Sequence, residues 1–127
     1  MVLAHDSILS ECVIKLAIEV HRQLGPGLLE SAYEECLCYE FGEAGIHFAR
    51  QVPLAVVYKD VRLECGYRMD VVVEGELLIE IKTVERLLPI HEAQILTYLK
   101  LSGRKIGLLL NFNSVLLKDG LRRFVTS

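Results

Sequence analysis

No stretch of the 127-residue sequence approaches the roughly 20 consecutive apolar residues that a bilayer-spanning helix needs, so membrane insertion is not expected. The opening segment, MVLAHDSILSEC, carries Asp6 and Glu11 and no basic region, so it does not read as a secretory signal. The four cysteines (Cys12, Cys36, Cys38 and Cys65) form no CxxC pair, which argues against a zinc site. They read as reduced thiols in a cytoplasmic protein. Internal repeats, low-complexity tracts and interdomain linkers are missing too, so residues 1–127 are expected to form one domain. There is no excess of positive charge: the net value is −3, against a generic basic coat for nucleic acid.

The hydrophobic fraction of 52% is enough for a well-filled core. Charge is unevenly spread. Lys100, Arg104, Lys105, Lys118, Arg122 and Arg123 face only Asp119 in residues 100–127, a local balance of +5 that leaves −8 on the first 99 residues. Such asymmetry suits a phosphate-facing end, and equally a solvated edge.

Residues 7–24 place Leu9, Val13, Leu16, Ala17, Val20 and Leu24 at helical spacing. Gly25-Pro26-Gly27 ends that helix, and a second is expected from about Leu28 to Phe41, with Gly42 and Gly45 at its exit. The period then changes. HFARQVPLAVVY predicts a strand bent or interrupted at Pro53, followed by VRLECGYRMDVVV and ELLIEIK in an antiparallel meander. IHEAQILTYLKLSG predicts a helix closed by Gly103, KIGLLLNF a central strand, and GLRRFVTS an edge strand or tail. The order implies an α/β fold with a mixed sheet. Ile14 and Ile18 adjoin the apolar face of the first helix, so that helix can bury two sides, and a homodimer is expected.

ELLIEIKTVE sets Glu80 and Lys82 on one face of a mostly apolar strand, opposite Ile79 and Ile81. Taken alone, this fits a strand whose outer face is charged. With Asp70 on the preceding strand it also fits phosphodiester hydrolysis, in which carboxylates hold Mg²⁺ and a lysine acts beside it. Register decides between them. A two-residue turn at Glu74-Gly75 pairs Asp70 with Ile79 and turns it away from Glu80. A three-residue loop over Glu74–Glu76, or one bulge, brings the two carboxylates together.

GLLESAY at residues 27–33 has the spacing GxxExxY in Gly27, Glu30 and Tyr33. With LECGYRMDVVVE, EIKTVE, HEAQILTYLK and GLLLNF, the chain resembles the bacterial and archaeal GxxExxY proteins from about Val13 to Val125. That family is grouped, more distantly, with the PD-(D/E)XK nuclease-like superfamily. The resemblance implies an αβββαβ core with a mixed sheet and an additional N-terminal helix. It puts Asp70 at the motif aspartate and Glu80-Ile81-Lys82 at its ExK, although Met69 stands where the motif has proline. It makes Glu30, Asp70, Glu80 and the Ile81 carbonyl the metal ligands, for Mg²⁺ or alternatively Mn²⁺. Lys82 then acts on the attacking water, and Gln94 and Tyr98 match the QxxxY element of the RecB-like branch, with His91 on the same helical face.

Two readings follow. One is a Mg²⁺-dependent nuclease acting on nucleic acid, DNA before RNA, with Lys105, Arg122 and Arg123 contacting phosphates. The other is a noncatalytic interaction module on the same fold, favoured by small size, acidic balance and the lack of a dedicated DNA-binding element.

Overall fold

The computed structural model describes the backbone over residues 4–126 and side chains over residues 8–126. Helices α1 (Ala4–Leu24) and α2 (Glu30–Glu43) precede strands β1 (Phe48–Tyr58), β2 (Val61–Val73) and β3 (Leu77–Lys82). Helix α3 (Pro89–Ser102), strand β4 (Ile106–Asn111), a short 3-10 turn (Leu117–Gly120) and strand β5 (Leu121–Val125) complete the chain. The five strands lie side by side in sequence order. Every pair is antiparallel except β3–β4, which is parallel and is joined by α3. This is the expected αβββαβ order with an extra N-terminal helix and a mixed sheet.

Helix α1 buries Val13, Ala17 and Val20, and Ile14 packs against the same cluster, while Ile18 stays exposed. Gly25 (φ 68°) and Gly27 (φ 104°) turn the chain after α1 in a backbone region that side chains rarely adopt. Tyr33 holds this turn from within: its hydroxyl donates to the Gly25 carbonyl at 2.6 Å and accepts the Leu28 N–H at 3.1 Å. Its ring stacks on Phe112 at 4.6 Å. The glycine of the GxxExxY stretch thus lies in a turn that the tyrosine, from within α2, ties together. Helix α2 starts at Glu30 rather than Leu28 and continues through Gly42, so Gly45 (φ 72°) makes its exit.

Pro53 does not interrupt β1. That strand lies on the sheet edge, where a missing N–H is tolerated, and Pro53 pairs in register with Arg68. The departures lie elsewhere: Gln51 adopts φ 50°, and the register shifts between Leu54 and Val56.

Two apolar layers sandwich the sheet. Val71, Val73, Leu77, Ile79, Ile81, Leu108 and Leu110 pack towards α1 and α2. Leu54, Met69, Val72, Leu78 and Leu109 pack with Ile95, Tyr98 and Leu99 of α3. Gly107 permits that approach, since a Cβ there would lie 3.1 Å from the Ile95 side chain and 3.2 Å from that of Leu99. Among the described residues no helix is long and apolar enough to cross a membrane.

Candidate active site

The β2–β3 hairpin takes the second of the two registers that the sequence permits. Val71 pairs with Ile79, Val72 with Leu78 and Val73 with Leu77, leaving Glu74–Glu76 as the loop. Glu74 (φ 52°) and Gly75 (φ 69°) form the turn, closed by the Glu76 N–H on the Val73 carbonyl at 2.9 Å. Continued one step, this register sets Asp70 opposite Glu80. The regular ladder stops there and side chains replace its next rung. Glu80 Oε2 accepts the Asp70 N–H at 2.9 Å, and Asp70 Oδ2 accepts the Ile81 N–H at 2.8 Å.

The alternation of faces slips next to this position. Arg50 and Val71 face α2, whereas Val52 and Met69, two residues further along their strands, pack on the α3 side. Residues two apart in a strand normally share a face. One step is therefore lost at Gln51 and Asp70, where Gln51 has its positive φ. Gln51 Nε2 donates to Glu34 Oε1 at 2.9 Å, and Arg50 Nε donates to Glu34 Oε2 at 2.9 Å. Buried Glu34 of α2 thus fastens the irregular point of β1 beside Asp70.

Glu80 is only 3% exposed, and burial, followed by repulsion from Asp70, pushes its carboxyl up from 4.5 to about 8. The Asp70 N–H and Lys82 oppose this rise. Asp70 is also raised, chiefly by burial and further by Glu34 and Glu30, against the Ile81 N–H bond and the Lys82 charge. Desolvation thus outweighs carboxylate repulsion as the cause of both rises. Lys82 lies two residues beyond Glu80 on the same strand face, half-buried.

Glu30 occupies the first turn of α2, exposed, and acts on both carboxyls through space. No group of three or more His, Cys, Asp or Glu side chains among the described residues is placed to hold a metal ion. The donor set nevertheless suits a hard cation. Asp70 Oδ1 and Glu80 Oε1 accept no hydrogen bond from the described residues. Mg²⁺ commonly takes only one or two carboxylates and completes its shell with water and substrate oxygens.

Gln94 and Tyr98 meet on α3, Gln94 Nε2 donating to the Tyr98 hydroxyl at 3.3 Å. Burial, with Glu80 and Asp70 among the lesser causes, raises the affinity of that hydroxyl for its proton. His91 is engaged elsewhere, its Nδ1 accepting the Leu88 N–H at 2.9 Å where α3 begins.

The three C-terminal cations do not form one surface. Arg122 pairs with Leu109, and Leu109 with Glu80, so Arg122 shares a row and a sheet face with the acidic pair. Arg123 pairs with Leu108 and lies on the opposite face, its Nε donating to Ser10 Oγ of α1 at 3.2 Å. Lys105 is exposed just before β4, its carbonyl accepting the Thr126 N–H at 2.8 Å.

Asn111 was not singled out by the sequence patterns. It is 1% exposed and lies opposite Lys82 on β4. Its Oδ1 accepts the Val84 N–H at 3.0 Å, its Nδ2 donates to the Val84 carbonyl at 2.9 Å, and the Asn113 N–H reaches the same Oδ1 at 3.2 Å. The Phe112 N–H binds the Lys82 carbonyl at 2.9 Å. These bonds fix the backbone immediately after Lys82. The available signal was a polar residue ending an otherwise apolar central strand.

A family model described as the PD-(D/E)XK nuclease superfamily matches residues 7–124. No curated protein and no solved structure gives a match.

Proposed function

Because the chain belongs to the PD-(D/E)XK nuclease superfamily, we propose that it is a divalent-metal-dependent nuclease that hydrolyses phosphodiester bonds in nucleic acid. The observation that carries this reading is the reciprocal exchange between Asp70 and Glu80, each carboxylate holding the other strand's backbone N–H with one oxygen. That exchange aims both remaining oxygens from a fixed frame, as a metal site requires. In this reading Asp70, Glu80 and the Ile81 carbonyl hold Mg²⁺ or Mn²⁺, and Glu30 adds a ligand from α2, directly or through water. The chemistry supplied by the bound ion is a lowered pKa of water and charge neutralisation at the phosphate. Lys82 orients the attacking water and faces the charge that develops on the phosphate. Gln94 and Tyr98 hold Lys82 or the substrate in place, and Arg122 with Lys105 meets flanking phosphates. Likeness to the GxxExxY proteins, a single domain over 1–127, a cytoplasmic location, DNA as substrate before RNA and a homodimeric assembly belong to the same proposal.

The test is cleavage of single- and double-stranded DNA and RNA with Mg²⁺ or Mn²⁺, together with melting in each metal. Lys82→Ala should retain the metal-induced rise in Tm and lose at least about 100-fold in cleavage, as expected for loss of a group acting in the transition state. A wild-type protein that gains no stability from either metal and cuts none of the four substrates would leave the noncatalytic module. What favours that second reading is the acidic balance of the chain, −3 in all, with Arg123 on the sheet face opposite the acidic pair.

A further inference from the structure

The β1–β2 hairpin runs well beyond the helices that cover the rest of the sheet. Every residue from Val61 to Arg68 is exposed. Its tip, Lys59-Asp60, turns with φ 48° and 69°. The pairs Leu54↔Tyr67, Val56↔Leu63 and Tyr58↔Val61 share one face. Leu54 fixes which face, since it packs in the α3-side layer. The outer part of this face is apolar and uncovered: Tyr58 is 60% exposed, Val61 54%, Leu63 40% and Tyr67 49%.

This face leads to the acidic pair. Tyr67 lies three residues before Asp70 and meets Tyr98 edge-on, with ring centroids 6.2 Å apart. Tyr98 in turn feels the charges of Glu80 and Asp70. The four residue steps from Leu54 to Tyr58 extend the face about 13 Å outward from the Tyr67 row. At its far end Lys59 Nζ lies over one face of the Tyr58 ring, 5.4 Å from its centre, which leaves the other face of the ring for stacking. The other arm charges nearly cancel, since Arg62 pairs with Glu64 at 2.9 Å and Asp60 offsets a cation.

We propose that the α3-side face of the β1–β2 arm is a platform for the unpaired bases of a nucleic-acid strand lying next to the Asp70–Glu80 site. This rests on the nuclease reading for its location and names the substrate form: a single strand, or a duplex with an overhang. Two exposed tyrosines offer stacking surfaces to any base, and Val61 and Leu63 fill the space between them. Stacking is tolerant of sequence, so binding should discriminate paired from unpaired bases rather than one base from another. With arm charges nearly balanced, the contribution should be insensitive to salt.

The experiment is binding of labelled single strands, blunt duplexes and overhang duplexes in EDTA, which separates binding from cleavage. Wild type should prefer unpaired ends, and Tyr58→Ala or Tyr67→Ala should each weaken single-strand binding about tenfold while leaving the salt slope unchanged. Tyr58→Phe should retain affinity, because the ring and not the hydroxyl is used. Equal binding of blunt duplex and single strand, or single-strand affinity unmoved by Tyr58→Ala, overturns the proposal. So does a wild-type dimer that Tyr58→Ala converts to monomer without loss of oligonucleotide binding, since a second copy then occupies the face. Arm-dependent binding in EDTA by a protein that cuts nothing with metal supports the platform while removing the nuclease.

Discussion

Glu80 carries the largest local conflict in the molecule and the clearest link between stability and function. Its folded carboxyl titrates at about 8 against an ordinary 4.5, so the folded state holds this proton more tightly than the unfolded chain. The resulting stability is fully present below about pH 4.5 and is lost as pH rises through 8. A pKa difference of one corresponds to about 1.4 kcal/mol, so the charged pair opposes folding by roughly a few kcal/mol, shared with Asp70. Glu80→Gln keeps an acceptor for the Asp70 N–H and removes the charge. Its Tm should match wild type near pH 4.5 and exceed it by several degrees at pH 8. Mg²⁺ should raise the wild-type Tm at pH 8 and leave the variant unchanged. Parallel pH profiles for the two proteins would refute this account. Little of it could be read beforehand: the sequence put three carboxyls in play, but burial of Glu80 follows from its place on the central strand.

At the scale of elements, the order of helices and strands was readable because each declares its period. Val13, Ala17 and Val20 mark a helix, and Ile79 and Ile81 mark one face of a strand. The hairpin register was readable only as two alternatives, since Glu74-Gly75 suits either loop and the structure adds Glu76. The lost step at Gln51 and Asp70 left no trace in the sequence, because glutamine at positive φ within a strand is not a pattern residue types announce. Glu34, which anchors it, looks like any acid on a helix. Asn111 was equally silent, although it fastens the exit of β3 to β4. Asn111→Ala should cost about 2–3 kcal/mol, since it orphans the Val84 N–H and carbonyl in a partly buried loop. If that clamp also aims Lys82, kcat should fall more than 10-fold with KM nearly unchanged, in a protein still folded at the assay temperature. Loss of stability with kcat intact would confine Asn111 to the fold.

For the whole molecule, the charge asymmetry along the chain divides differently in space. The six cations after residue 99 suggested one phosphate-facing end, but alternation along β5 sends its two arginines to opposite faces. Arg122 stands in the row that runs through Leu109 to Glu80, while Arg123 ties β5 to Ser10 of α1. A nucleic acid reaching the acidic pair from the α3 side can use Arg122 and has no route to Arg123. Removing one cation that meets a phosphate should lower the slope of log K against log salt by about one. Arg122→Ala should therefore weaken binding of a catalytically silent Glu80→Gln background several-fold at low salt, converge with its parent at high salt, and reduce the slope by about one. Arg123→Ala in the same background should leave the slope unchanged and lower Tm slightly, because its bond to Ser10 is gone. Titrations of one oligonucleotide at four salt concentrations distinguish the pair. Equal slope changes for both arginines would mean that the strand wraps the β5 edge rather than lying on the α3 face, and the row through Glu80 would then not be its path.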